Sequence, residues 1–278
     1  MPMEAVWAAI EATKTYLVEH QPGLIGLHLE GPYFNPEKRG AHLLANLRQP
    51  QTAELRELLE RASGAVTYLT AAPELFSDED LNLLLESGIH FSAGHSNATY
   101  AQARRGFERG IGRVTHLFNA MSAFGHREPG LAGATLDSAT FENQPYASII
   151  PDGIHLSWAA LRIAKALLGE RLFFITDAVT EDPSGAYHFR LAGDHFEDEN
   201  GVLSGSALTM MQAVKNGVEH AGLSLGESLR MASTYPAQAA GLGERLGRIE
   251  AGFSASLVIF DDDYRVRGVV ERGRLTWF

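Results

Sequence analysis

Four residues of this 278-residue chain have the types and the placement that a hydrolytic metal site needs. Glu30 follows the apolar run at 24–29, His95 follows 89–94, His116 follows 113–115 and Asp177 follows 172–176. Imidazole and carboxylate are what a divalent cation takes when no thiolate is on offer, and the chain has no cysteine. A carboxylate placed near such an ion can accept a proton from water and return it to a leaving group. Taken singly, each residue has a plainer reading. Glu30 would be a strand-end carboxylate facing water, His95 or His116 a hydrogen-bonded structural histidine, and Asp177 a helix N-cap. The 21-residue step from His95 to His116 raises that pair above the plain reading. It is the length of one strand and one helix, so the two rings fall at equivalent ends of neighbouring strands.

Weaker signals surround these four. His155, after Asp152-Gly153-Ile154, could support a carbonyl oxygen or a substrate hydroxyl, and Asp152 reads as a turn residue before Gly153. The glycine-rich stretch 124–133 carries His126 and Arg127, and a guanidinium there could hold an anion in bidentate fashion, although the spacing is not that of a phosphate loop. Lys38-Arg39-Gly40-Ala41-His42 reads either as a solvated basic run or as a substrate lid.

The elements that must position these residues alternate. Residues 1–20 read as an amphipathic helix with Ala5, Ala8, Ala9, Ile10, Tyr16 and Leu17 on one face. Strands are expected at 24–29, 65–70, 89–93, 113–117, 146–150 and 172–176. Helices are expected from Thr52 as cap through Ser63, from Ser77 to Gly88, from Asn97 or Thr99, and from Ser157 to Leu168. A hairpin at 186–204, helices near 206–220 and 225–233, and a strand-rich tail follow. Strand and helix in alternation predict an α/β fold, a TIM-like (β/α) barrel with its chemistry at the C-terminal strand ends. Only six strand–helix units are found where such a barrel closes with eight. The expectation is therefore an N-terminally incomplete barrel over 1–246, missing its first two strands, and a small β appendage over 247–278.

Composition narrows the partners. Apolar residues make up 45% and charged residues 21%, which is globular rather than disordered. A net charge of −11 speaks against a general nucleic-acid or anionic-membrane surface. No apolar run approaches a membrane span, and no secretory leader is evident, so the expected location is cytoplasmic.

The stretches HLEGPYFNPEKRGAH, SAGHSNAT, THLFNAMSAFGHREPGLAGA, PDGIHLS, FFITDAV and LSGSALTMMQAVKN together resemble the N-acetylglucosamine-6-phosphate deacetylase family of the amidohydrolase superfamily. The closing TYPAQAAGLGERLGRIEAGFSASLVIFD looks like that superfamily's return to its β domain. The resemblance implies Glu30, His95 and His116 as ligands of one divalent metal ion, usually zinc or iron. It implies Asp177 as the catalytic acid/base and His155 as a contact near the scissile amide or the sugar hydroxyls. Asn119, the backbone of Ala120, Arg127 and His42 would hold the sugar phosphate. A homodimer is implied too, because in this family a neighbouring subunit partly completes the phosphate site. The chain departs from the pattern in lacking roughly a hundred N-terminal residues, counted against a barrel of about 250, and with them any His-x-His. The reaction expected is hydrolysis of N-acetyl-D-glucosamine 6-phosphate to D-glucosamine 6-phosphate and acetate. The galactosamine epimer as substrate, or a non-catalytic remnant, are the alternatives.

Overall fold

The computed structural model describes residues 2–19, 23–181, 189–199 and 201–278. The chain divides into two compact units, Met1–Ala147 and Ser148–Phe278. In the first unit, helices α1 (Met3–Val18), α2 (Thr52–Ala62), α3 (Asp78–Glu86), α4 (Tyr100–Glu108) and α5 (Gly130–Asp137) accompany strands β1 (Leu27–Glu30), β2 (Val66–Ala71), β3 (His90–Ala93) and β4 (Arg113–Val114). Strands β5 (Tyr146–Ile149) and β6 (Leu172–Phe174) continue the sheet, whose order follows the chain from β1 to β6. The pairs from β1/β2 to β4/β5 are all parallel. This is the α/β class that alternation of strand and helix predicts.

Successive strand residues point to opposite faces, and the two faces of this sheet differ in chemistry. Leu29, Leu69, Phe91, Val114 and Ile149 are buried on one face, and Leu55, Leu58, Leu84 and Phe107 of the helices are buried too. Each such side chain contributes roughly 1.5–3 kcal/mol on burial. The alternate positions are polar. The Thr70 hydroxyl lies 2.7 Å from the Thr115 hydroxyl, which lies 2.6 Å from that of Ser92, and His28 Nε2 lies 2.7 Å from Thr70. A parallel strand buried on both faces is ordinarily apolar throughout. Glu30, which pairs with Thr70, lies on this polar face.

Local chemistry accounts for most helix starts. Ser77, Thr99 and Ser157 each accept a hydrogen bond from a first-turn amide, and Thr99 completes a capping box with Gln102. Four expectations need correction. Gln51, not Thr52, precedes α2, and it makes no side-chain cap bond. In α1 the buried positions are Val6, Ile10 and Thr13, whereas Ala5, Ala8 and Tyr16 are exposed, so the buried stripe is rotated; residues 1 and 20 lie outside the described residues. The glycine-rich stretch read as loop opens α5 at Gly130, and Gly130 to Leu136 of that helix are buried. Strand β4 ends at Val114, because His116 and Phe118 adopt left-handed backbone angles that no strand contains.

The second unit holds α6 (Trp158–Leu168), β7 (Arg190–Ala192), β8 (His195–Glu197), β9 (Leu203–Ser206), α7 (Met210–Glu219), α8 (Leu225–Ala232) and α9 (Thr234–Ala239). Here β7, β8 and β9 form a three-stranded antiparallel sheet, one strand more than the expected hairpin; residues 186–188 and Asn200 of that hairpin lie outside the described residues. The tail forms a second antiparallel sheet of β10 (Leu257–Phe260), β11 (Val266–Glu271) and β12 (Arg274–Trp277), within the span expected for the appendage. Among the described residues no helix is long and apolar enough to cross a membrane.

Glu227 ties three helices of this unit together. It pairs with Lys165 of α6 and Arg230 of α8 and accepts a 3.0 Å bond from the Tyr235 hydroxyl of α9. Only 17% of the Glu227 side chain is exposed. Glu227→Gln should therefore lower stability by about 2–3 kcal/mol, read from denaturant unfolding. Desolvation pushes the carboxyl up, but the bonds from Lys165, Arg230 and Tyr235 outweigh it and hold it below its ordinary 4.5. A depressed carboxylate adds stability that is complete above about 4.5 and is lost as pH falls through the folded value. The parent and the variant should converge on acidification across that range.

Candidate metal centre

Glu30 is the last residue of β1, while His95 and His116 each stand two residues beyond the ends of β3 and β4. Both histidines have positive φ, 48° and 35°. For a residue with a Cβ this costs roughly 1–2 kcal/mol. The turn it makes brings each ring back over the end of its strand. Gly94 permits the approach: a Cβ there would lie 2.7 Å from Thr70 Cγ2 and 3.1 Å from Thr115 Cβ. The small residues before His95 thus make room for the neighbouring threonines rather than for the ring. Gly94→Ala should destabilise by about 1–3 kcal/mol and weaken metal uptake together, measured by thermal unfolding and metal titration.

The three donor atoms form a triangle. Glu30 Oε1 lies 2.9 Å from His95 Nε2 and 3.0 Å from His116 Nε2, and the two nitrogens are 3.0 Å apart. Atoms bonded at about 2.1 Å to one ion lie roughly 3.0 Å apart at right angles and roughly 3.4 Å at tetrahedral angles. The protonation pattern fits as well. His95 Nδ1 lies 2.8 Å from the Lys38 carbonyl, which can only accept, so Nδ1 carries the hydrogen. The Nε2 of a neutral His95 then offers only a lone pair, and it faces a carboxylate oxygen. A proton or a cation at the centre reconciles them. Backbone fixing of the remote ring nitrogen is also what keeps a ligating histidine in the correct tautomer. Desolvation works to raise Glu30, yet the His116 and His95 rings opposite it prevail and hold its carboxyl well below the ordinary carboxylate range.

His42 joins this group. A ring nitrogen of His42 and the ligand atoms of Glu30 and His95 all lie within 4.8 Å of one another. Its ring meets His95 edge-on at 4.9 Å and Phe34 at 4.8 Å, and Phe34 stacks on His95 at 4.1 Å. Burial, and then the neighbouring His95, bring His42 down to about 4. At neutral pH it offers a hydrogen bond rather than a positive charge.

Asn119 and Ala120 are half-buried beyond His116, and the Ala120 carbonyl accepts from Ser96 at 3.2 Å. Arg127 is exposed. Its neighbour Glu128 shapes the loop by accepting from the Tyr100 amide at 2.6 Å and the Gly130 amide at 3.0 Å. In the second unit Asp177 follows β6 with φ 49°, the same left-handed turn as His95 and His116. Its carbonyl accepts from the Ser206 amide of β9 at 3.0 Å. His155 gives its Nδ1 hydrogen to Asp152, whose other oxygen accepts from the Ile154 and His155 amides at 2.9 and 2.8 Å. Asp152 thus orients His155, a role that its reading as a plain turn residue missed. Glu74 was missed too; it stands in the turn three residues beyond the end of β2. Its oxygens accept from Asn35, Ser96 and the Asn97 amide at 3.0, 2.7 and 2.6 Å.

Parallel strands whose C-terminal ends present clustered imidazole and carboxylate are the arrangement a metal-assisted hydrolase uses, and residues 12–276 match the amidohydrolase family, to which the chain belongs. Its relatives within that family are specific. The chain is 36% identical over 283 residues to N-acetylglucosamine-6-phosphate deacetylase of Haemophilus influenzae, covering 98% of this chain and 73% of that one. It is 32% identical to N-acetylgalactosamine-6-phosphate deacetylase of Escherichia coli O157:H7, over 100% of this chain and 75% of that one. The crystal structure of N-acetylglucosamine-6-phosphate deacetylase from Pasteurella multocida superposes with a TM-score of 0.93 at 35% identity, over 100% of this chain and 74% of that one. The chain therefore spans about three quarters of the length of these relatives.

Proposed function

We propose that this chain hydrolyses the acetamide of N-acetyl-D-glucosamine 6-phosphate, releasing acetate and D-glucosamine 6-phosphate in amino-sugar catabolism. The observation that carries the reading is the triangle of Glu30, His95 and His116, with donor atoms 2.9–3.0 Å apart, in a chain whose relatives bear that activity in their names. Glu30, His95 and His116 would hold one divalent ion, zinc or iron. When bound, such an ion supplies Lewis acidity and makes water acidic enough to attack at neutral pH. Asp177 takes the proton of the attacking water and passes it to the departing nitrogen, since an amine leaves poorly unless protonated. With Nδ1 committed to Asp152, a neutral His155 accepts at Nε2 and so suits a sugar hydroxyl, whereas gripping the carbonyl oxygen requires the cationic ring. Asn119, the Ala120 backbone, Arg127 and His42 are assigned to the phosphate. Arg127 supplies the charge there and His42 a neutral hydrogen bond.

The six-stranded sheet is read as part of a TIM-like barrel over 1–246, with 247–278 as a β appendage. A homodimer is the assembly that the family resemblance supports, with the cytoplasm as its expected location. The galactosamine epimer is kept as a second substrate reading, because the Escherichia coli relative of that name matches along the whole chain. Acetate release from the two 6-phosphates, measured side by side on metal-loaded protein, tests both readings. A kcat/KM higher for the glucosamine epimer is expected. Preference for the other epimer reverses the assignment, and bound metal without acetate release leaves a non-catalytic binder.

A further inference from the structure

The metal ligand His95 is gripped by a segment far from it in sequence. The Asn35 amide donates to the His95 carbonyl at 2.9 Å, His95 Nδ1 donates to the Lys38 carbonyl at 2.8 Å, and Phe34 stacks on the ring. Gly40 closes the grip: its φ is 57°, and a Cβ there would stand 3.3 Å from His95 Cε1. Within the segment, Glu37 accepts from the Asn97 side-chain amide at 2.7 Å. A second side chain, from outside the segment, also bridges it to the residues after β3. Glu74, in the turn after β2, receives the Asn35 side-chain amide on Oε1, together with the Asn97 backbone amide. Its Oε2 receives the Ser96 hydroxyl, which in turn accepts from the Ala98 amide. A single carboxylate thus fastens the residue after Phe34 to the two residues after His95.

The geometry points to Glu74 as a positioning residue for the metal centre: it locks the Phe34–Gly40 segment against His95 and so sets the tautomer and direction of that ligand. This inference rests on reading Glu30, His95 and His116 as the metal site. Three acceptor bonds are used; the Asn97 backbone amide cannot reverse its role, and the Asn35 side-chain amide can do so only by giving up the 3.0 Å bond its oxygen accepts from the Glu37 amide. A glutamine at position 74 must turn its own NH₂ toward one of the three donors. Turned toward the Ser96 hydroxyl, which can accept, it keeps three contacts but loses the charge that strengthens them, so the substitution weakens the lock without emptying the space.

The test compares parent protein, Glu74→Ala, Glu74→Gln and Asn35→Ala after stripping and reloading with Co²⁺ or Zn²⁺. Affinity is read by chelator competition and ligand geometry by the visible Co²⁺ spectrum. Leu84→Ala, a fully buried core truncation in the same unit, controls for general destabilisation. The expected result is a 10–100-fold weaker metal affinity in Glu74→Ala. Glu74→Gln and Asn35→Ala should show smaller losses, and all three a changed Co²⁺ band, while Leu84→Ala keeps the parent spectrum. If Glu74→Ala does not fold, Glu74→Gln and Asn35→Ala decide. Parent-like affinity and spectrum in those two variants, or an equal spectral change in Leu84→Ala, overturn the proposal. A parent that takes up no metal overturns the metal-centre reading itself, and this inference with it.

Discussion

Asp177→Asn is expected to lower kcat for deacetylation by about 10²–10⁴-fold, the range that a positioned acid/base supplies. Metal content should stay at the parent level. Asparagine is the informative replacement. The backbone of Asp177 sits at φ 49°, a region that Asn tolerates about as well as Asp and most other residues do not. The Asp177 carbonyl bond to the Ser206 amide needs no side chain, so the fold around position 177 should survive. What disappears is a group able to accept a proton and give it back. A loss confined to kcat, with KM little changed, indicates an interaction made only in the transition state. Single-turnover acetate release, with metal analysis of the same sample, checks both parts. Parent-like turnover in Asp177→Asn would remove this residue from the mechanism.

Glu30→Gln is expected to have a comparable effect by a different route. Glu30 Oε1 is the corner of the triangle nearest both imidazoles, at 2.9 and 3.0 Å, and it carries the only formal negative charge among the three donors. A neutral amide keeps the shape and withdraws that charge. Metal affinity should fall at least about 100-fold, beyond the 10–100-fold that outer-shell changes produce. Activity at equimolar metal should fall with it and recover in part as metal is added in excess. Chelation of the parent protein should reproduce the activity loss, and re-addition of metal should reverse it. These responses separate the two assignments: excess metal rescues a weakened ligand set, but it does not rescue a missing proton acceptor. Equal metal content in Glu30→Gln and the parent would defeat the ligand assignment.

Local chemistry is legible in the chain without the fold. Short apolar runs with glycine-closed helices between them place Glu30, His95, His116 and Asp177 at strand ends. Ser77, Thr99 and Ser157 start their helices because a hydroxyl three residues before a free amide satisfies it wherever it occurs. Helix α5 escaped that logic. Gly130 and Gly133 lower its intrinsic propensity, and burial of nearly every residue erases the polar stripe that would reveal a helix. Which atoms meet depends on the folded chain. His95 reaches a carbonyl 57 residues away, His116 reaches a carboxylate 86 residues away, and Glu74 joins segments 39 and 23 residues distant. Bonds of that span leave no periodicity or spacing in the chain, because they exist only once the strands have paired in register. The same holds for charge. His42 lies in a basic run, but burial beside His95 makes it neutral, and that desolvation belongs to the folded environment rather than to the residue.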